Sequence, residues 1–123
     1  MSVKLFDSEL KVMDVLWKEG DMPAKKIVEA LSRGVGWHKN TTYTIIRKCI
    51  EKGAVIRIEP NFICTAALSK EQVQEYEVNE LIGKLFDGSA DMLFASLLGR
   101  KSLPAHVISR LKKAAQMHKE ESS

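Results

Sequence analysis

The 123-residue sequence predicts a mainly α fold with a small β-hairpin, and three observations carry that prediction. Apolar residues recur at helical spacing in separate stretches along most of the chain. After the third such stretch the pattern changes: Ala54-Val55-Ile56-Arg57-Ile58 and Phe62-Ile63-Cys64-Thr65-Ala66 flank a break at Glu59-Pro60-Asn61, which is a hairpin signal. Gly20, Pro23, Gly36, Gly53, Asp87-Gly88-Ser89 and Pro104 then punctuate the chain between these stretches.

Asp7 or Ser8 is the expected cap of a first helix running to Gly20, because a short side-chain oxygen there accepts a backbone N–H that has no partner inside the helix. Leu10, Met13, Leu16 and Trp17 form its apolar stripe. After a linker at Asp21-Met22, Pro23 suits a first helical turn, where a missing N–H costs nothing, and Ile27, Val28 and Leu31 face the core. Ser32 to Trp37, with Gly34 and Gly36, reads as a turn. The third helix spans Asn40 to Gly53, with Asn40 as the expected cap and His38 as a weaker one. Ile45, Ile46, Cys49 and Ile50 share one face of it, and Lys52 followed by Gly53 is a normal helix stop.

Thr41, Thr44, Arg47, Lys48 and Glu51 lie around the rest of this third helix. Short hydroxyls and long cations near a helix start can read base edges and phosphates in a major groove, although a solvated basic face would look the same locally. Element order decides between them. Three helices followed directly by a hairpin is the order of a winged helix-turn-helix domain. Charge points the same way: residues 1–69 hold 11 Lys and Arg against 8 Asp and Glu, whereas residues 70–123 hold 8 of each. Between Trp37 and Ile58, Lys39, Arg47, Lys48, Lys52 and Arg57 face only Glu51.

Ser69 with Gln72 three residues on is a capping box and opens a fourth helix, whose stripe Val78, Leu81, Ile82 and Leu85 continues to Phe86. Asp87-Gly88-Ser89 separates it from a fifth segment holding Met92, Leu93, Phe94, Ala95, Leu97 and Leu98. After the polar stretch Gly99-Arg100-Lys101-Ser102, Pro104 starts a sixth helix with Val107, Ile108, Leu111, Ala114, Ala115 and His118 along one face. The expected division is therefore a DNA-binding domain over 1–68 and a helical dimerisation region over 69–123. Small helical domains of about 50 residues are marginal alone, so a second copy is the simplest cover for the tail's stripes, through Val78, Leu81, Ile82, Leu85, Leu93, Leu97, Ile108 and Leu111. Packing of the tail on its own winged helix is the alternative.

Several classes are disfavoured. Cys49 and Cys64 sit in apolar surroundings without CxxC spacing, so two reduced, packed thiols are expected, with no metal and no cofactor. The first ten residues lack a secretory pattern and no apolar run approaches about 18 residues, so a cytoplasmic chain without membrane insertion is expected. His38, His106 and His118 lie on separate elements, and no HExxH, nucleophile elbow or phosphate-cradling glycine loop accompanies them, so no catalysis is expected. A winged helix that binds another protein through its third helix remains the competing reading.

The stretches FDSELKVMDVLWKEG, AKKIVEAL, GWHKNTTYTIIRKCIEKGAV, KLFDGSADMLFASLLGRKSL and ISRLK, in this order, resemble the penicillinase-repressor family of winged-helix transcriptional repressors from about Leu5 to Lys113. The resemblance implies a homodimeric repressor that binds a double-stranded DNA dyad operator through the third helix and dimerises through the tail. In relatives controlling β-lactam resistance, a membrane sensor-transducer protease system leads to a cut in the tail; the corresponding bond here is Ser96-Leu97, where those relatives carry Asn-Phe. The copper-responsive branch carries a C-terminal cysteine cluster, and no cysteine follows Cys64 here.

Thr41 and Thr44 match the family motif and would contact phosphate or a base edge, and Lys39, beside the altered approach Trp37-His38-Lys39-Asn40, would contact phosphate. Tyr43 would pack on a thymine methyl or bond a phosphate, and either Arg47 or Lys48 would donate to guanine. Trp37 reads as a packing anchor. The hairpin is about two residues shorter than the common family form, and its tip, Glu59-Pro60-Asn61, has no basic residue, so little hairpin contribution to DNA contact is expected.

Overall fold

The computed structural model describes residues 3–99 and 104–122, with side chains of 111, 115 and 117–122 outside the description. Its elements are α1 (Asp7–Glu19), β1 (Met22–Pro23), α2 (Ala24–Val35), α3 (Lys39–Glu51), β2 (Val55–Ile58), β3 (Ile63–Ala66), α4 (Lys70–Leu85), α5 (Ala90–Leu98) and α6 (Ala105–Ser122). Two compact units result, residues 1–78 and 79–123. The first unit reaches beyond residue 68, because Val73 on the second turn of α4 is buried and Glu77 accepts from Lys4 Nζ at 3.2 Å.

In the first unit, Val12, Met13 and Leu16 of α1, Ile27 and Leu31 of α2, and Ile45, Ile46 and Cys49 of α3 close on one another with Leu5, Ala54, Val55 and Cys64. Leu10, Trp17 and Ile50, expected in the same stripes, are half-buried at its margin, and Val28 is half-buried. Trp17 Nε1 donates to Leu68 O at 2.9 Å, so its ring is anchored where α4 begins.

The sheet has three strands in the order β1-β3-β2, one more than the expected hairpin. Met22 pairs with Cys64 and Pro23 with Ile63, so the supposed linker is an edge strand. Pro23 precedes α2 and is not its first turn, and it fits there because an edge position tolerates a residue without an N–H. In the main ladder, Val55 faces Ala66 and Ile58 faces Ile63. Only Val55 of the β2 apolar residues is buried; Ile56 and Ile58 are 50% and 47% exposed because strand alternation sends them outward.

Local boundaries also moved. α2 runs on to Val35, through the supposed turn, and stops at Gly36, whose φ of 72° is left-handed. α1 begins after Phe6, not after Asp7 or Ser8, because the Glu9 carboxylate turns back to accept the Phe6 N–H at 2.7 Å. The capping box at Ser69 and Gln72 is present in both directions, at 2.8 and 3.0 Å.

Glu9 is 1% exposed, and its Oε1 also accepts from Lys52 Nζ at 2.6 Å. Lys52 Nζ donates in addition to Lys4 O at 2.8 Å and lies 4.1 Å from the centre of the Phe6 ring. The end of α3 is thereby tied to the start of α1. Removing one partner of a buried pair strands the other charge, so Lys52→Met should cost about 3 kcal/mol in urea unfolding. Glu9→Gln should cost less, since an amide oxygen still accepts from Phe6; equal stability of Lys52→Met and wild type would refute the tie.

Candidate nucleic-acid interface

α3 is held on one side and open on the other. Thr42, Ile45, Ile46 and Cys49 are buried. At about 100° per residue, Arg47, Asn40, Glu51, Thr44, Lys48 and Thr41 follow one another around an arc of about 120° on the opposite side. All six are exposed. His38, not Asn40, caps the helix: its Nδ1 accepts the Asn40 N–H at 3.2 Å, which leaves the Asn40 side chain uncommitted to the cap. Lys39 then becomes the first helical residue and is exposed. The Thr44 hydroxyl donates to Asn40 O at 2.9 Å, so its lone pairs face outward as acceptors.

Tyr43 lies off this arc. It is half-buried, with its ring 6.3 Å from that of Phe62 at the start of the β3 side of the hairpin. Phe62 O in turn accepts from Ala24 N at 2.9 Å, so one residue joins α2, α3 and the hairpin. Trp37 is half-buried against the core, in keeping with an anchor.

The positive field is narrower than the charge count suggested. Lys52 is spent on Glu9, and Arg57 Nε donates to Glu59 Oε1 at 2.6 Å. Among the described residues, no ion pair engages Lys39, Arg47 or Lys48. Of these cations, Arg47 and Lys48 lie on the outer arc and Lys39 at the start of the helix. Arg57, counted in the sequence only for its charge, stacks on Phe62, whose ring meets Tyr43 of α3; the alternation that places Val55 and Arg57 on one side of β2 was the available signal.

Both cysteines lie in the core. Burial pushes the Cys49 thiol from 9.0 up to about 12, with the Glu9 charge adding to the shift, and burial likewise raises Cys64 from 9.0 to about 11. Both are free and buried, and burial favours the protonated thiol, a poor nucleophile. Among the described residues no group of three or more His, Cys, Asp or Glu side chains could hold a metal ion, and no helix is long and apolar enough to cross a membrane.

Three helices, a short three-stranded sheet and an exposed polar face on the third helix define a winged-helix domain of the kind found in DNA-binding regulators. The penicillinase repressor family profile matches residues 5–117, and the chain belongs to that family. It is similar to the penicillinase repressor of Bacillus licheniformis, at 23% identity over 118 residues, covering 94% of this chain and 92% of that one. Among solved structures it resembles the DNA-binding domain of the repressor BlaI, with a TM-score of 0.52 and 27% identity over 56% of this chain and 87% of that one. The monomeric form of Bacillus licheniformis BlaI, solved in complex with the blaP half-operator, gives a TM-score of 0.50 and 26% identity over 57% of this chain and 88% of that one.

Proposed function

We propose that this chain is a cytoplasmic transcriptional repressor that binds double-stranded DNA with the outer face of α3, as a homodimer on a dyad operator. The observation that carries the reading is the division of α3 into a buried face and an exposed arc on which Arg47 and Lys48 have no counter-charge among the described residues, with Lys39, equally unpaired, at the first position of the helix. The similar BlaI structure bound to a half-operator supports the same choice of partner.

Lys39 and Asn40 meet phosphate at the start of α3, Thr41 donates its hydroxyl to phosphate or a base edge, Thr44, whose proton goes to Asn40 O, accepts from a base-edge amino group, and Arg47 or Lys48 donates to guanine. Tyr43, packed on Phe62, contacts the duplex with whatever edge that packing leaves free. Binding to duplexes from the region upstream of this chain's gene should weaken steeply with salt, as neutralised phosphates release counterions. Arg47→Ala and Lys48→Ala should each cost about 1–3 kcal/mol, the base reader losing sequence preference and the phosphate contact losing affinity uniformly. A flat salt response with both variants binding as wild type would favour a protein-interaction module instead.

Dimerisation is assigned to the tail. On the single chain, Val78, Leu81 and Leu85 are 45%, 38% and 70% exposed, while Ile82, Leu93, Leu97 and Ile108 are half-buried; the Leu111 side chain lies outside the described residues. Apolar residues of this size in open solvent favour cover by a second copy. Sedimentation of the full chain should give a dimer, and Leu81→Asp with Leu85→Asp should give a folded monomer; a dimer that survives both changes would place the interface elsewhere.

Relief of repression is assigned to a cut in the tail. Ser96 and Leu97 lie within α5, whose backbone must open before a protease can bind it in extended form. Incubation with membranes containing the host's ligand-activated sensor protease, followed by mass spectrometry, should yield a cut between Ser96 and Leu97; an intact chain released from DNA would point to a different signal.

A further inference from the structure

Arg57 stands outside the set of residues assigned to DNA above, yet it is the most carefully held cation on the hairpin. Its guanidinium carbon lies 3.7 Å from the centre of the Phe62 ring, and its Nε donates to Glu59 Oε1 at 2.6 Å. The Phe62 ring is the one that also meets Tyr43 of α3. A stack therefore runs from Tyr43 of α3 through Phe62 to Arg57, and it orients the guanidinium relative to that helix.

The ion pair is open to water, with side chains 47% and 62% exposed. Such pairs are weak and screened. Only Nε is used by Glu59, and a guanidinium presents further N–H groups suited to two oxygens of one phosphate. A phosphodiester arriving at the hairpin offers the same charge as the carboxylate with no side-chain ordering to complete, since stacking has already ordered the arginine.

We infer that Arg57 is a phosphate-contacting residue of the hairpin and that Glu59 is its built-in competitor, so that binding exchanges a carboxylate for a backbone phosphate. This rests on the DNA-binding reading and adds to it. In the unbound chain Glu59 cancels the hairpin's charge and limits capture of arbitrary DNA. On the duplex, α3 brings the backbone close enough to displace the carboxylate, and Arg57 then contributes.

The full chain can be titrated with a short mixed-sequence duplex over a range of salt, because a backbone contact does not depend on sequence. Arg57→Gln should weaken binding several-fold and lower the log–log salt slope by about one. Glu59→Gln should tighten binding by about threefold in the native background and leave Arg57→Gln almost unaltered, since its effect acts through the arginine. Both positions are exposed, and unchanged circular dichroism and thermal melting would certify the variants. Equal tightening by Glu59→Gln in both backgrounds would overturn the competition, leaving only general charge. Native binding by Arg57→Gln would overturn the contact. Failure of the unaltered chain to bind DNA at all would instead remove the functional reading beneath it.

Discussion

A single buried carboxylate organises the first unit. Glu9 has almost no contact with water, and it is tolerated there because Phe6 N–H and Lys52 Nζ both point at the same oxygen. One of these partners fixes where α1 starts and the other fixes where α3 ends. An unpaired charge in that position would cost several kcal/mol, so the two helices must hold their relative placement for the core between them to stay closed. Ile45, Ile46 and Cys49 are then presented to α1 and α2 with little freedom to rotate. The direction of the outer face of α3 is a consequence of that lock.

The outer face is distinguished by what has been subtracted from it. Five cations cluster around α3 and the hairpin in sequence, but Lys52 serves the core and Arg57 is neutralised by Glu59. Of the five, Lys39, Arg47 and Lys48 keep no ion pair among the described residues, Arg47 and Lys48 on the arc that carries Thr41 and Thr44 and Lys39 at the start of the helix. A smaller but better-placed field favours docking in one orientation over diffuse attraction.

Much of this fold was legible because it rests on local signals. Helical periodicity, the strand-like runs after Gly53 and the Ser69–Gln72 capping box each act within a few residues, and each is present. The missed features depend on distant partners. Met22 and Pro23 have no strand signature of their own and pair only because β3 offers a free edge. Glu9 and Lys52 are 43 positions apart, and nothing near either one announces a buried pair. His38 displaces Asn40 as cap because the helix starts one residue earlier than the polar pattern implied. Of the candidate site, the residue types and their helix were visible, whereas the loss of two cations to partners and the place of Phe62 were visible only in three dimensions.

Phe62 has a mechanical consequence. Its carbonyl holds the start of α2, its ring meets Tyr43 on α3, and Arg57 lies across its face, so helix and hairpin share one joint. A joint contacted on three sides has little compliance of its own. On the proposed function, fitting two surfaces together then falls to the duplex, whose base steps differ in how readily they bend or unstack. Selectivity would thus extend to base pairs that no side chain reaches, set by the stiffness of the protein as much as by its contacts.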